Sequence, residues 1–453
     1  MAASTGKRKR ESENGEGNLG KTARKVPFWL LESQDGGNDP DWMPLRIDQK
    51  SLLNNRYCVR DLLGRGTFGV VLQCEDTKKA NKKVAVKIST GSTKQEYIHL
   101  KCAHAKQHPY RFEDPHILEP LGCFTLQATA RPQQLYLATV TALHEGDLAS
   151  LIDYSVPPAL SEVFTLGNHL LTALAGVHAA SMVHADVKPQ NLLWSARSPP
   201  LTGFRFVLAD FGSSFKNGPS DPDYMVTRQY RPPEVVLRLK HIAAPVDIWA
   251  AACVIAEYAL GEPLFSAADT NEIVTKWVET IGIPDQLLIK ACPVNERWFV
   301  WREDLQLYMH PPLGCLWSSR RSRKKRQDLF YCKVAEVNDP AKSQFERPEP
   351  KPSEIYPIRM QLARDAPGWT VRHSENVAPG ALLYSHTTLG VTQWQFPRFR
   401  ELRKLFERRY PGISSTEVGL ELIDALTKML KWDPSSRPTA TQCLAFPCFS
   451  ANA

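Results

Sequence analysis

Residues Gly64-Arg65-Gly66-Thr67-Phe68-Gly69 place three glycines between two apolar stretches, bounded by Leu63 and Val71. Without a Cβ in the way, backbone amides can approach phosphate oxygens closely. Eighteen residues after Gly69 stands Lys87, closing Val84-Ala85-Val86-Lys87, where the strand after a phosphate-covering hairpin would present it. Farther along come His184-Ala185-Asp186-Val187-Lys188-Pro189-Gln190-Asn191 and, 24 residues after Asp186, Asp210-Phe211-Gly212. The glycine pattern alone is a weak signal. Four motifs in this order are a specific one.

The elements that must position these residues change character along the chain. Tyr57 to Leu63, Val70 to Glu75 and Lys83 to Ile88 alternate apolar and polar residues, which predicts three strands joined by short turns. From Ser161 onward helical spacing takes over, in Val163, Leu166, Leu170, Leu171, Leu174 and Val177, then in Val246 to Leu260 and Leu420 to Leu430. Strands first and helices second predict two lobes. Between about Ala291 and Pro397 the pattern breaks into Pro, Trp and basic residues. Helical texture returns at Phe399 to Tyr410, so this stretch is an insertion within the second lobe.

The chain has 453 residues, 43% of them apolar and 23% charged, which excludes a minimal binding module and a wholly disordered or fibrous chain. Net charge is +8, but it is local. Met1 to Leu30 and Arg320 to Arg326 carry the whole excess, leaving about −2 for the remainder. That distribution argues against nucleic-acid binding by the folded body and for two basic tags. Ten cysteines are scattered singly, without CxxC spacing, so neither a zinc site nor a disulfide framework is expected. The longest apolar run, Ile248 to Ala256, is about half of what a membrane span needs, and no secretory signal is evident, so a soluble intracellular protein is expected.

Taken together, the four motifs resemble those of the eukaryotic protein kinases, over essentially Tyr57 to Phe449 apart from the insertion. The resemblance implies an α+β, bilobal protein kinase fold, with a small β-rich N-lobe at about 57–140 and a larger α-helical C-lobe at about 141–449, preceded by a flexible basic extension at 1–56. It implies ATP and Mg²⁺ as cofactors. Leu63, Gly64, Gly66, Phe68, Gly69, Val71 and Ala85 would line the nucleotide, and Lys87 would hold its α and β phosphates. Asp186 would accept the substrate hydroxyl proton, Lys188 would neutralise the moving phosphate, and Asn191 and Asp210 would hold the metal. Such chemistry asks for positioning and charge neutralisation of a polyanion. The helix glutamate expected to partner Lys87 is Glu96, although it follows by only nine residues, a short path that leaves an exposed helix glutamate as the competing reading. Thr139, in Leu135 to Val140, stands in the strand that would lead to the adenine contact.

Tyr224-Met225-Val226-Thr227-Arg228-Gln229-Tyr230-Arg231-Pro232-Pro233-Glu234, with Gly261-Glu262-Pro263-Leu264-Phe265, is similar to the CMGC group, most of all to the dual-specificity tyrosine-regulated and homeodomain-interacting kinases. The likeness implies Ser/Thr protein substrates with proline after the acceptor, near Arg231. It also implies autophosphorylation at Tyr224, with Arg228 and Arg231 as partners of the phosphate. The alternative is an ordinary loop tyrosine. Ala185 replaces the arginine many kinases use to clamp a phosphorylated loop, as in the tyrosine-regulated kinases. Glu234 would pair with Arg437 in a buried ion pair, and Asp247 would brace the catalytic loop.

Within the insertion 291–397, residues 366–397 resemble a WW domain, an all-β module. Trp369 and Pro397 would form its buckle, while Tyr384, His386 and Trp394 would line a groove for proline-rich ligands. The competing reading is a hairpin packed on the lobe. Pro348, Pro350 and Pro352 could fill such a groove in cis. Lys7-Arg8-Lys9-Arg10 and Lys21, Arg24 and Lys25 have the spacing of a bipartite nuclear import signal, read by an import receptor, or are a solvated charge run. The expectation is a nuclear Ser/Thr protein kinase, with a cytoplasmic pool also possible. A WW-containing scaffold with a silent kinase fold is the alternative should the short path from Lys87 to Glu96 prevent an active lobe.

Overall fold

The computed structural model describes residues 47, 50–66, 69–89, 95–106, 116–127, 135–196, 203–216, 227–239, 242–267, 270–282, 284–293, 299–302, 307–309, 369–373, 382–386, 391–393 and 402–450. Phe68, Tyr224, Trp394, Pro397, the Pro348–Pro352 stretch and both basic tags lie outside these residues.

The first half of the fold is a six-stranded antiparallel sheet. Its strands are β1 (Leu52–Leu53), β2 (Tyr57–Gly66), β3 (Gly69–Asp76), β4 (Lys82–Ser89), β5 (Pro120–Gln127) and β6 (Leu135–Ala142), ordered β1-β2-β3-β4-β6-β5. Between β4 and β5 lies the helix α1 (Gln95–Lys106). Alternation decides the two faces of the sheet. Val59, Val70, Leu72, Cys74, Val84, Val86, Ile88, Tyr136, Ala138 and Val140 are buried together as one core. Val71, Ala85 and Lys87 take the positions between them and are half-buried on the opposite face.

Strand β2 runs three residues beyond the predicted end at Leu63, to Gly66, because the hairpin keeps its pairing up to Gly66 opposite Gly69. Gly69 has φ +141°, and a Cβ there would lie 1.9 Å from the carbonyl oxygen of Ile88. This glycine is therefore required by the packing of β3 on β4.

The second half is helical around a second, larger core. Its helices are α2 (Leu160–Ala179), α3 (Pro233–Val236), α4 (Pro245–Leu260), α5 (Thr270–Ile281), α6 (Gln286–Ala291), α7 (Leu402–Arg409), α8 (Glu417–Met429) and α9 (Ala440–Cys443). Fourteen consecutive residues of α4, Val246 to Ala259, are buried, including two carboxylates, so this helix is the axis of the lobe. It stops at Gly261, whose φ of +81° lets its N–H cap the Glu257 carbonyl. Trp249 on α4 stacks on Phe265 and meets Trp277 of α5 edge-on. No helix among the described residues is long and apolar enough to cross a membrane.

Short strands carry the loops between the lobes: β7 (Gly146–Asp147), β8 (Met182–Val183), β9 (Leu192–Ala196), β10 (Phe204–Leu208) and β11 (Phe215–Lys216). Strand β10 pairs with β9 and β9 with β7, while β11 pairs with β8. Between α6 and α7 lie a hairpin, β12 (Val300–Arg302) with β13 (Leu307–Met309), and a three-stranded antiparallel sheet, β14 (Trp369–His373), β15 (Leu382–His386) and β16 (Val391–Gln393). The register sets Trp369 opposite His386, and Tyr384 opposite both Val371 and Gln393. Tyr384 and His386 thus fall two positions apart on the central strand.

Candidate active site

The site is built where the sheet's half-buried face meets the loops around β8 to β11. Lys87 is supplied by β4, and its cross-strand neighbours are Val71 on one side and Thr139 on the other. Ala85 sits one step along, opposite Thr141. Glycine Gly64 pairs with Val71, and exposed Leu63 precedes it on the same hairpin.

The Lys87 ammonium lies 2.7 Å from Glu96 Oε1 and 2.6 Å from Asp210 Oδ1. The nine-residue path from Lys87 to Glu96 is therefore long enough: α1 starts at Gln95, so Glu96 stands in its first turn and reaches back to β4. Burial works against the charge on Lys87, but Asp210 and Glu96 together outweigh it, and the ammonium pKa stands above the ordinary lysine value. For Asp210 burial likewise opposes ionisation, and the Lys87 charge and hydrogen bond, helped by the Gly212 N–H, overcome it, so its pKa is lowered. Asp210 itself has φ +58°, a strained left-handed conformation, and takes the Gly212 N–H on the same oxygen that Lys87 binds.

Asp186, 8% exposed, receives Lys188 Nζ at 2.6 Å and Asn191 Nδ2 at 3.1 Å on Oδ2, while Thr227 Oγ1 donates to Oδ1 at 2.9 Å. Lys188 also reaches Thr227, at 3.4 Å. Thr227 was read in the sequence only as part of the segment with Tyr224 and the arginines. It joins the Asp186 network from 41 residues away, and nothing in local spacing signals this. Asn191 turns its amide nitrogen toward Asp186, also bonding the Asp186 carbonyl at 2.7 Å. Among the described residues, nothing donates to Asn191 Oδ1 or Asp210 Oδ2. Two hard oxygen ligands remain, the kind of donor set that suits Mg²⁺ completed by phosphate oxygens and water.

Ala185 adopts φ +63°, which disfavours any residue with a Cβ. Asp247 on α4 holds it there: its carboxylate accepts the N–H of Ala185 at 2.9 Å, the N–H of His184 at 2.9 Å and His178 Nε2 at 2.9 Å. His184 in turn bonds the Ala209 carbonyl at 3.0 Å and packs edge-on to Phe211. The loop with Asp186 and the segment with Asp210 are thus fixed to each other and to the axial helix. Deeper in the lobe Arg437 meets Glu234 through two bonds of 2.7 Å, with side chains 0% and 1% exposed.

Near the substrate side, Arg228 and Tyr230 bound a short 3-10 turn, with half-buried Arg231 following it. Burial, and then the charge of Arg228, lower the Arg231 pKa. Two cations therefore stand within electrostatic reach of each other. Tyr230 donates to Glu257 Oε2 at 2.7 Å, a buried contact the sequence did not announce. Burial pushes the Glu257 carboxyl up to about 7 despite that bond.

A family model described as the protein kinase domain matches residues 57–449. The chain belongs to the protein kinase family. Among its relatives, this kinase is 29% identical over 246 residues to the dual specificity protein kinase YAK1 of Saccharomyces cerevisiae, covering 52% of this chain and 28% of that one. It is 29% identical over 345 residues to Cyclin-dependent kinase D-1 of Oryza sativa, covering 71% and 75%. With Homeodomain-interacting protein kinase 2 of Mus musculus it shares 27% over 268 residues, covering 58% and 21%. These relatives are kinases of the CMGC group, the group to which Tyr224 to Glu234 and Gly261 to Phe265 pointed. The matches to YAK1 and its Arabidopsis thaliana homolog span about a quarter of those proteins' lengths. Kinase-family membership implies use of ATP and Mg²⁺. With Lys87 and Glu96 joined, the condition on which a silent scaffold depended is absent.

Proposed function

We propose that this kinase transfers the γ-phosphoryl group of ATP to serine or threonine hydroxyls of protein substrates. The observation that carries the reading is the Lys87 ammonium held between Glu96 and Asp210, beside an Asp186 carboxylate already oriented by Lys188, Asn191 and Thr227. Lys87 binds and orients the nucleotide phosphates. Asp186 accepts the proton of the substrate hydroxyl as its oxygen bonds to the γ-phosphorus and the bond to the β,γ-bridging oxygen breaks, releasing ADP. Lys188 offsets charge gathering on the transferred group. Asn191 and Asp210 would hold Mg²⁺, which when bound would supply charge neutralisation on the phosphate oxygens. The likeness to CMGC kinases supports a proline after the acceptor residue and phosphorylation of Tyr224 itself, with Arg228 and Arg231 as partners of that phosphate. The basic N-terminal tag supports import into the nucleus through a receptor.

Magnesium-dependent phosphate transfer from ATP to a protein substrate, measured against Lys87→Met, tests the reading. Turnover that depends on both metal and Lys87 is expected, and none above the variant would sink it.

A second reading concerns the insertion. The antiparallel β14-β15-β16 sheet, with Trp369 on its first strand and Tyr384 and His386 on its second, supports a WW-like module for proline-rich segments. Titration with a proline-rich peptide should show saturable binding that Trp394→Ala abolishes. Equal binding by the full-length protein and its variant would remove the proposal.

A further inference from the structure

Helix α1 carries Glu96, yet few of its own apolar side chains are buried. Leu100 and Ala103 are covered, while Ile98 is 46% exposed and Cys102 is exposed. Those two covered residues belong to the large helical core, and no described residue of α1 belongs to the core of the sheet beside which it lies. Apolar burial therefore gives this helix a modest hold. A polar contact supplements it.

His99 lies three residues after Glu96, on the same side of α1. It is 4% exposed, and its Nδ1 is 2.9 Å from the hydroxyl of Ser214, itself 9% exposed. Ser214 stands two residues after the Asp210-Phe211-Gly212 motif, and its hydroxyl donates to the Phe211 carbonyl at 2.6 Å. With that proton committed, His99 must be the donor to Ser214 through Nδ1–H. Its Nε2 is then an acceptor, and the Gln95 side-chain amide donates to it. Both ring nitrogens are thus satisfied by a neutral imidazole. Burial agrees, since it lowers the His99 pKa.

We infer that His99 and Ser214 form a latch that seats α1 against the segment carrying Asp210, making His99 a positioning residue for the Lys87–Glu96 pair. The contact closes a ring. Lys87 bonds Glu96, the first turn of α1 leads to His99, His99 bonds Ser214, four residues of chain lead back to Asp210, and Asp210 bonds Lys87. Opening the ring at His99 frees the helix to swing while every charged member remains present.

The kinetic arm of the test rests on the phosphoryl-transfer reading; a second arm does not. In the full-length protein, His99→Leu is expected to speed amide hydrogen exchange along Gln95–Lys106 and to lower kcat/KM for ATP about tenfold, with Ser214→Ala doing the same. His99→Asn, whose amide nitrogen can replace Nδ1, should recover to within about threefold of the parent value. The double variant His99→Leu/Ser214→Ala should lose less than the product of the two single losses, because the bond between His99 and Ser214 is common to both. Losses that multiply in the double variant, no rescue by asparagine in a folded protein, or unchanged exchange in α1 would each overturn the latch. Should the parent protein not turn over ATP, the phosphoryl-transfer reading fails, and the exchange measurement still decides the latch.

Discussion

Asp186→Asn is expected to cut kcat about 10²- to 10⁴-fold, the range that removal of a positioned general base produces, while leaving the protein folded. The replacement keeps the size of the side chain, and its one carbonyl oxygen can still accept from Lys188 and Asn191, which meet Asp186 Oδ2 at 2.6 and 3.1 Å, while its NH2 takes the place of the oxygen that accepts from Thr227 and can donate to that hydroxyl instead. What it cannot do is take a proton from a hydroxyl. Because Lys87, Glu96 and Asp210 are untouched, KM for ATP should move far less than kcat. Steady-state phosphorylation assays on parent and variant, with both thermal transitions recorded, decide the matter. A loss below about tenfold would remove Asp186 from the role of base.

The largest effect on stability is expected away from the chemistry. Arg437→Leu should destabilise the helical lobe by about 3–5 kcal/mol, because it leaves the Glu234 carboxylate buried without its cation. Arg437 does more than pair with Glu234. Its guanidinium also donates to the carbonyls of Lys431, Trp432 and Pro245, and lies 5.1 Å above the Trp249 ring. Chemical unfolding followed by tryptophan fluorescence would report the change. Joint replacement of Glu234 and Arg437 by leucine should cost less than the single replacement, since no lone charge remains. A single variant within about 1 kcal/mol of the parent would show that the pair is dispensable. Lost activity in such a variant would reflect a failing lobe, and screens that score activity alone would mistake it for catalysis.

Residues whose chemistry is dictated by phosphate were legible in the chain. Lys87, Asp186, Asn191 and Asp210 stand in motifs whose order leaves little choice, and the structure brings them into one cleft. Glu234, Arg437 and Asp247 were legible through the family resemblance, because buried charges need partners. Glu96 was ambiguous on spacing alone, and what resolves it is the early start of α1 at Gln95. Thr227, the His99–Ser214 contact and the Tyr230–Glu257 contact were not legible. Each joins ordinary residues across 41, 115 and 27 positions of sequence, and neither periodicity nor a motif encodes where such chains cross. Strand ends were misjudged at the hairpin for a related reason: glycine is a poor strand former, yet Gly64 and Gly66 continue the ladder because Val71 and Gly69 supply partners.

The Glu234–Arg437 pair joins residues 203 positions apart, and the 291–397 stretch between α6 and α7 accounts for about half of that span. In a flexible chain, doubling the length between two joined points costs only about 0.6 kcal/mol of closure entropy. The helical lobe can therefore carry an extra module between α6 and α7 at almost no thermodynamic penalty, provided the two chain ends leave and re-enter at fixed places. Buried Ile289, Cys292 and Phe299 fix the departure, and Leu402, Leu405 and Phe406 fix the return. Between those anchors the sequence is free to lengthen, shorten or acquire a new binding surface without consulting the catalytic loop.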